Sequence, residues 1–422
     1  MKLSRGARIE SDMLEDQRSA QAVVNNRESE LLNLLAVDWS FASEKTSHLT
    51  HGLHPYPAKY IPQIPHTLIR ELSSPGETVA DIFCGSGTAL VEALLLGRNA
   101  VGVDASPLAC LISRAKTARL AEGDLDSLLS LAESAHLLAD QISAQSNFPL
   151  FQPLPYASGA PRPSDETISF WFAPFVVEEL AEALSWCHGM PTESSRTVAL
   201  AAFSSIIVVV SRQDSDTRYV RREKKIRPGD AMRRFARSVS EAARNSAELT
   251  GLVDSGLGCE VHNADVLTGP DIGQVDLVVC SPPYPNAYSY HLYHRTRMLW
   301  LGMDQPKFKR EEIGSHRKYS SRGPNGATVE TFRGEMSTIF TWLRRHLRPD
   351  GYACFVVGDS TLKGRVISNA DLIAEVSAEN GFSEAGRLER RMQDTKKAFN
   401  PAIGKIKREQ IVVMRNTGGT PA

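Results

Sequence analysis

Apolar and polar positions along this chain follow two rhythms, and the switches between them locate its elements. From His51, "HGLHPYPAKYIPQIPHTLIREL" reads as a proline-studded loop feeding a helix. "ETVADIFCGSGTALVEALLLGRNAVGVDAS" then parses as strand, glycine-rich turn, helix and strand, and "PLACLISRAKTARL" adds a turn and another helix. That alternation is the βαβ pattern of a parallel sheet with helices on its faces. Between about Ala121 and Gly258 the rhythm loosens into a Pro-rich loop, "FPLFQPLPYASGAPRPSDE", and helical stretches with an aromatic patch, "ISFWFAPFVVEEL". A basic segment from Arg212 to Arg244 follows. Strand signals resume at "CEVHNADV", "VDLVVCSPPY", "GYACFVVGDS" and "REQIVVMRN".

The pattern predicts three parts. Residues 1–47 form a polar extension with one helical patch, "ESELLNLLAVDW". Residues 48–120 and 259–416 together make one α/β domain, and residues 121–258 are a largely helical insertion into it. The 422 residues, 42% hydrophobic and 23% charged, have the composition of a soluble globular protein. A formal net charge of −1 means that any nucleic-acid surface must come from local clustering of basic residues. Cys84, Cys110, Cys187, Cys259, Cys280 and Cys354 contain no C-x-x-C pair, so neither a disulfide scaffold nor a zinc site is expected, and no metal. The N-terminus is charged throughout, and apolar runs such as "SSIIVVV" are too short to span a bilayer. The expectation is a cytoplasmic protein without a membrane partner.

Candidate chemistry begins at "DIFCGSGT", directly after the first strand. Gly85 and Gly87 let the chain turn sharply and bring its backbone against a ligand, with a helix starting near Thr88. Asp104 ends the next strand, seventeen residues after Gly87, where an acid accepts both hydroxyls of an adenosine ribose. Leu90 stands where a dinucleotide site has its third glycine, so there is no clear pyrophosphate cradle. A nucleoside without phosphates fits better, which points to S-adenosylmethionine. Downstream, "DLVVCSPPYPNAY" runs a buried strand into Ser281, Pro282, Pro283 and Tyr284. Two prolines cannot donate ladder hydrogen bonds, so the strand must stop there.

"DIFCGSGT", "GVDASPLA" and "SPPY" together resemble the amino-methyltransferases of DNA, which methylate exocyclic nitrogens of cytosine or adenine. The resemblance implies a class I (Rossmann-like) methyltransferase, with a mostly parallel seven-stranded-type sheet and a helical insertion carrying part of target recognition. It assigns Asp81, Phe83, Gly85, Gly87, Thr88 and Asp104 to the cofactor, and Asp265 in "HNADV" to its adenine ring. "HPYPAKYIP" resembles the family motif H-P-x-x-K-P, with one residue inserted and Tyr60 in place of the last proline. On that match His54 and Lys59 bind the cofactor carboxylate. "SPPY" is typical of the N4-cytosine members.

The implied chemistry is physically coherent. A conjugated exocyclic amine is a poor nucleophile, so its protons must be held by acceptors while the nitrogen rehybridises. Ser281 Oγ and the Pro282 carbonyl supply those acceptors, Pro282 and Pro283 fix their directions, and Tyr284 stacks on a base flipped out of double-stranded DNA. No covalent intermediate is needed, and Cys280 should point to the opposite side of the strand as a structural residue. Arg218, Arg221, Arg222, Lys224, Lys225, Arg227 and Arg233 offer phosphate contacts. A polar stretch after the catalytic loop, "KFKREEIGSHRKYSSRGPNG", is a second candidate for target recognition. The reading is therefore N4-cytosine methylation at a short sequence, alone or beside a cognate restriction endonuclease. Two others stay open: an amino-methyltransferase of DNA adenine or of RNA, and a nucleic-acid-binding protein whose methyltransferase fold no longer turns over.

Overall fold

The computed structural model describes residues 31–42, 44–146, 162–164, 166–285, 288–320, 326–391 and 408–418. Most of the Pro-rich loop expected after residue 147 lies outside them, as do the first thirty residues. The strands β1 (Thr78–Asp81), β2 (Asn99–Asp104), β3 (Cys259–Asn263), β4 (Val275–Cys280), β5 (Leu347–Gly358), β6 (Phe382–Arg391) and β7 (Arg408–Asn416) make one sheet. Its spatial order is β6-β7-β5-β4-β1-β2-β3. The pairs β1–β2, β1–β4, β2–β3 and β4–β5 are parallel. β7 runs antiparallel between β5 and β6. This is the mostly parallel class I (Rossmann-like) α/β sheet that the βαβ rhythm predicts.

Each strand reads as a continuous apolar run because both faces of the sheet are covered. Successive side chains go to opposite layers. Leu277 and Val279 enter one layer with Ile64 and Leu68 of α1 (Gln63–Leu72) and Leu90 and Val91 of α2 (Thr88–Leu95). Val278 and Cys280 enter the other, which holds residues of two helices that follow the insertion. Helix α3 (Pro107–Thr117) follows β2, its first turn closed by Ser106 Oγ accepting from Ala109 N at 3.3 Å.

Between β2 and β3 the chain builds α4 (Glu122–Ser146), α5 (Pro174–His188), α6 (Glu193–Val210) and α7 (Asp230–Leu252). They share a separate apolar cluster around Leu180, Phe203, Phe235 and Val239. Buried Glu179 of α5 accepts from the backbone nitrogens of Gly229, Ala231 and Met232 at 2.7, 3.0 and 3.1 Å, holding the first turn of α7. The run "SSIIVVV" belongs to α6, whose 18 residues are long and apolar enough to cross a membrane, a length the run alone did not suggest. In the fold 61% of that span is buried, and it serves as a core helix of this layer. A hairpin of Gln213–Ser215 and Arg218–Arg221 joins α6 to α7. After β4 come two short helical turns and the helices Gln305–Glu311 and His316–Ser320, then α8 (Val329–His346), and α9 (Asn369–Glu379) follows β5. Phe332 and Phe340 of α8 and Ile373 of α9 fill the second layer.

Strand order reverses between β1 and β4, because connections run outward from that pair in both directions. A crevice at the carboxyl ends of the strands is the geometric consequence.

Candidate active site

The crevice is a cleft of about 1020 Å³, its open mouth included. Its walls come from six places in the sequence: Tyr56 to Tyr60, Asp81 to Thr88, Asp104, Asp265, Ser281 to Tyr284 with Tyr288 and Tyr290, and Phe308 to Ile313. Lys59, Asp81, Phe83, Gly85, Thr88, Asp104, Asp265, Ser281, Pro282, Pro283 and Tyr284 are thereby brought together on one wall system.

The turn after β1 is shaped by glycine. Gly87 has φ +76°, and a Cβ there would lie 2.9 Å from Ser113 Oγ, so only glycine lets α2 start so close to α3. Gly87 therefore shapes the wall from behind. Asp104 spans the turn: Oδ2 accepts from Gly85 N and Oδ1 from Ser106 N, both at 2.8 Å. Burial pushes its carboxyl up to about 6. Asp81 accepts from Tyr60 Oη at 2.6 Å and from Phe83 N at 3.1 Å, and burial raises it to about 7. Asp265 turns its Oδ1 back to Leu267 N at 2.9 Å, capping a short 3-10 turn at the cleft's edge.

The proline loop is held by its surroundings. The Tyr284 hydroxyl hydrogen-bonds Ser281 and the backbone of Gly358, and burial raises it well above its ordinary range. Gly314, at φ +73°, presses on this loop: a Cβ there would meet Tyr284 O at 2.5 Å and Pro283 O at 2.9 Å. Cys280 is fully buried in the layer of Phe355 and Val278, a packing residue. Beside Tyr284 an aromatic wall forms, with Tyr56 stacked on Tyr290 at 5.9 Å and on His294 at 5.0 Å.

His54 corrects the expectation drawn from the "HPYPAKYIP" match. It is 1% exposed, and its Nδ1 and Nε2 lie 2.7 Å from Pro55 O and 3.0 Å from Ser204 Oγ. It does not line the cleft, because it ties the loop to α6 instead. Burial holds it well below the usual imidazole range, so it is neutral and carries no charge for a carboxylate. Lys59 does line the cleft, with Nζ donating to His51 O at 2.9 Å. His51 in turn sits 2.6 Å from Glu92 of α2, which fastens the loop to the helix that begins at the glycine turn.

Sequence reasoning passed over Lys116, Glu312, Tyr56 and Tyr60. Lys116, near the end of α3, is fully buried and donates to Ser86 Oγ at 3.2 Å, behind the glycine turn. Glu312 accepts from the backbone nitrogens of Tyr290 and His291 at 2.5 and 3.3 Å and binds the His291 ring at 2.5 Å. Tyr60, in the place of a family proline, was the one visible signal.

The basic segment differs from a bare cationic face. Arg218 and Arg222 pair with Asp214 at 3.5 and 3.2 Å, Arg221 with Glu223 at 2.8 Å, and Arg233 with Asp140 and Asp230 at 3.3 and 3.4 Å. Lys224 donates to Val208 O at 2.6 Å. Lys225 and Arg227 are exposed, and among the described residues neither side chain enters an ion pair. The hairpin docks beside the cleft: Gln213 bonds Tyr293 O at 3.0 Å and Thr296 Oγ1 at 2.9 Å, and Asp216 pairs with fully buried Arg297.

Comparison with known proteins follows the same lines. Residues 7–114 match a family of DNA methylases of the N6/N4 type. The type II methyltransferase M.MjaII of Methanocaldococcus jannaschii is 42% identical over 82 residues, 19% of this chain and 15% of that protein. The type II methyltransferase M.MvaI of Kocuria varians is 29% identical over 174 residues, 40% of this chain and 36% of that protein. The matched parts thus span 15% of one relative and 36% of the other. An rRNA methyltransferase of Streptomyces viridochromogenes overlays 90% of this chain and 98% of its own at 12% identity, with a TM-score of 0.36.

Proposed function

We propose that this chain, whose residues 7–114 match the N6/N4-type DNA methylases, methylates an exocyclic amine of a DNA base, N4 of cytosine. The observation that carries this reading is the meeting of Asp104 and Ser281–Tyr284 on the wall of one cleft, from distant parts of the chain. S-adenosylmethionine is the methyl donor of such enzymes, and when bound it supplies an electrophilic methyl group. The residues present fit it: an acid with no ion pair among the described residues stands at the end of β2, Lys116 bonds Ser86 of the glycine turn, and Lys59 lines the cleft.

In this reading Asp104 takes the ribose hydroxyls, and Asp265 faces the adenine edge. Lys59, with Lys116 behind Ser86, holds the carboxylate end; His54 has no part in it. Ser281 Oγ and the Pro282 carbonyl accept the protons of the target amine, aiming its lone pair at the methyl group. Tyr284 and the Tyr56–Tyr290 stack offer faces for a base flipped from double-stranded DNA. The helical insertion of residues 121–258 and the segment after the catalytic loop carry target recognition. The type II names of the two relatives support a restriction-modification setting in the cytoplasm, with a cognate endonuclease as partner.

Mass spectrometry of nucleosides from cells expressing the protein tests this directly. N4-methylcytosine should appear in DNA and vanish in Ser281→Ala and Tyr284→Ala, while both variants still bind S-adenosylhomocysteine. N6-methyladenine alone would move the target to adenine, and a methylated base confined to RNA would overturn the DNA substrate.

A further inference from the structure

Lys116 is fully buried, yet its nearest polar company is another cation. Its Nζ donates to Ser86 Oγ at 3.2 Å, and the nearby Lys59 amine, which donates to His51 O at 2.9 Å, adds a like charge. No carboxylate among the described residues pairs with either lysine. The other titratable groups facing them are His51 and His54 from the loop, both buried, and His51 is already committed to Glu92. A protonated amine has three donors and no acceptor, so neither lysine can offset the other's charge while both are protonated. Burial of Lys116 without a counter-ion disfavours its charged form, while Lys59 stands exposed at the cleft.

The arrangement changes when an anion arrives. Lys59 and Ser86 line the cleft at the glycine turn, as Asp104 and Asp265 do. A carboxylate carried by the amino-acid end of the ligand is the group this end of the cleft can neutralise. Its charge offsets the cost of the second ammonium. This step rests on the methyl-donor reading above and goes beyond it.

We propose that binding of the cofactor's carboxylate at Lys59 is coupled to uptake of a proton by the Lys59–Lys116 pair. The proton leaves the buffer and forms an N–H bond on whichever amine was neutral, leaving two ammonium groups around one carboxylate. Above neutral pH the cofactor's affinity should therefore fall as pH rises, approaching about tenfold per pH unit as uptake nears one proton.

The test is calorimetric titration of S-adenosylhomocysteine at pH 8.5 in two buffers of different ionisation enthalpy, which counts protons exchanged. The wild-type protein should take up more protons per ligand than Lys116→Gln or Lys59→Gln, by up to about one. Protons exchanged by the ligand's own amine cancel in that difference. 5′-Methylthioadenosine, which lacks the amino-acid end, should show no difference among the three proteins. Two variants guard against one failing to fold, as checked by circular dichroism. Equal proton counts with binding intact would overturn the coupling and leave the methyl-donor reading standing. Absence of binding by the wild-type protein would overturn both.

Discussion

Asp104 holds two backbone amides, and the described residues give it no cation. Each oxygen keeps a further lone pair able to accept, and the charged form is the one that accepts ribose hydroxyls well. Burial has already pushed the group up to about 6, and nearby Glu312 adds to the push. The sign follows: below that pH the carboxyl is protonated in the empty site, and binding must first remove the proton. Cofactor affinity should thus fall as pH drops through about 6, by about tenfold per unit. Asp104→Asn should abolish that acid arm and cost about 2–3 kcal/mol at pH 7.5, roughly 30- to 150-fold in affinity. Calorimetry across pH checks both, and an unchanged acid arm in the variant would remove Asp104 from the site. At this scale the sequence was legible where chemistry and spacing coincide, as at Gly85 and Asp104. It was illegible at Lys116, because a lysine near the end of an apolar helix looks like a solvated last turn. His54 misled for the converse reason: a motif gives a residue's type, and packing against Ser204 decides which way it turns.

Elements show the same division. The strand runs were readable because a sheet covered on both faces demands apolar residues at every position. What a strand's end does is set by distant chain. The Ser281–Tyr284 loop is rigid by its own prolines, but it is placed by Gly314, thirty residues beyond Tyr284. Nothing in "REEIGSHRK" marks that glycine, since its need for a left-handed φ and for no Cβ exists only in the folded protein. Gly314→Ala should push the Pro283 and Tyr284 carbonyls away and tilt the acceptors for the target amine. Methyl transfer to DNA should fall about tenfold or more, as a misplacement approaching 1 Å does. Binding of S-adenosylhomocysteine should stay within about twofold, because no cofactor-facing group moves. Steady-state kinetics with calorimetry separates the two, and an equal loss in both would mean that Gly314 supports the whole cleft.

At the scale of the molecule, a chain of net charge −1 must meet a polyanion through one locally basic surface. The run from Arg218 to Arg233 is that candidate, and it sits on the right side: its hairpin is pinned through Gln213 and Asp216 to the helical turns that carry Tyr290. Its charges are not equivalent, which sequence alone could not tell, since the acids that neutralise them come from Asp140 and Asp214 as well as from the run itself. Arg218 and Arg222 share Asp214, and Arg221 bonds Glu223 while lying 4.7 Å over the ring of Phe170. A phosphate would have to compete with those partners. Lys225 and Arg227 are exposed and enter no ion pair among the described residues, so they can approach phosphates without that competition. Replacing both by Gln should lower the slope of log affinity against log salt by about 0.9 for each duplex phosphate that is no longer neutralised. Arg222→Gln, which also frees Asp214 to pair more fully with Arg218, should lower it by less than either. Filter binding across a salt series on one duplex reads the slopes. If the Lys225 and Arg227 variant keeps the wild-type slope, DNA does not lie along this hairpin, and the target is gripped from the segment after the catalytic loop instead.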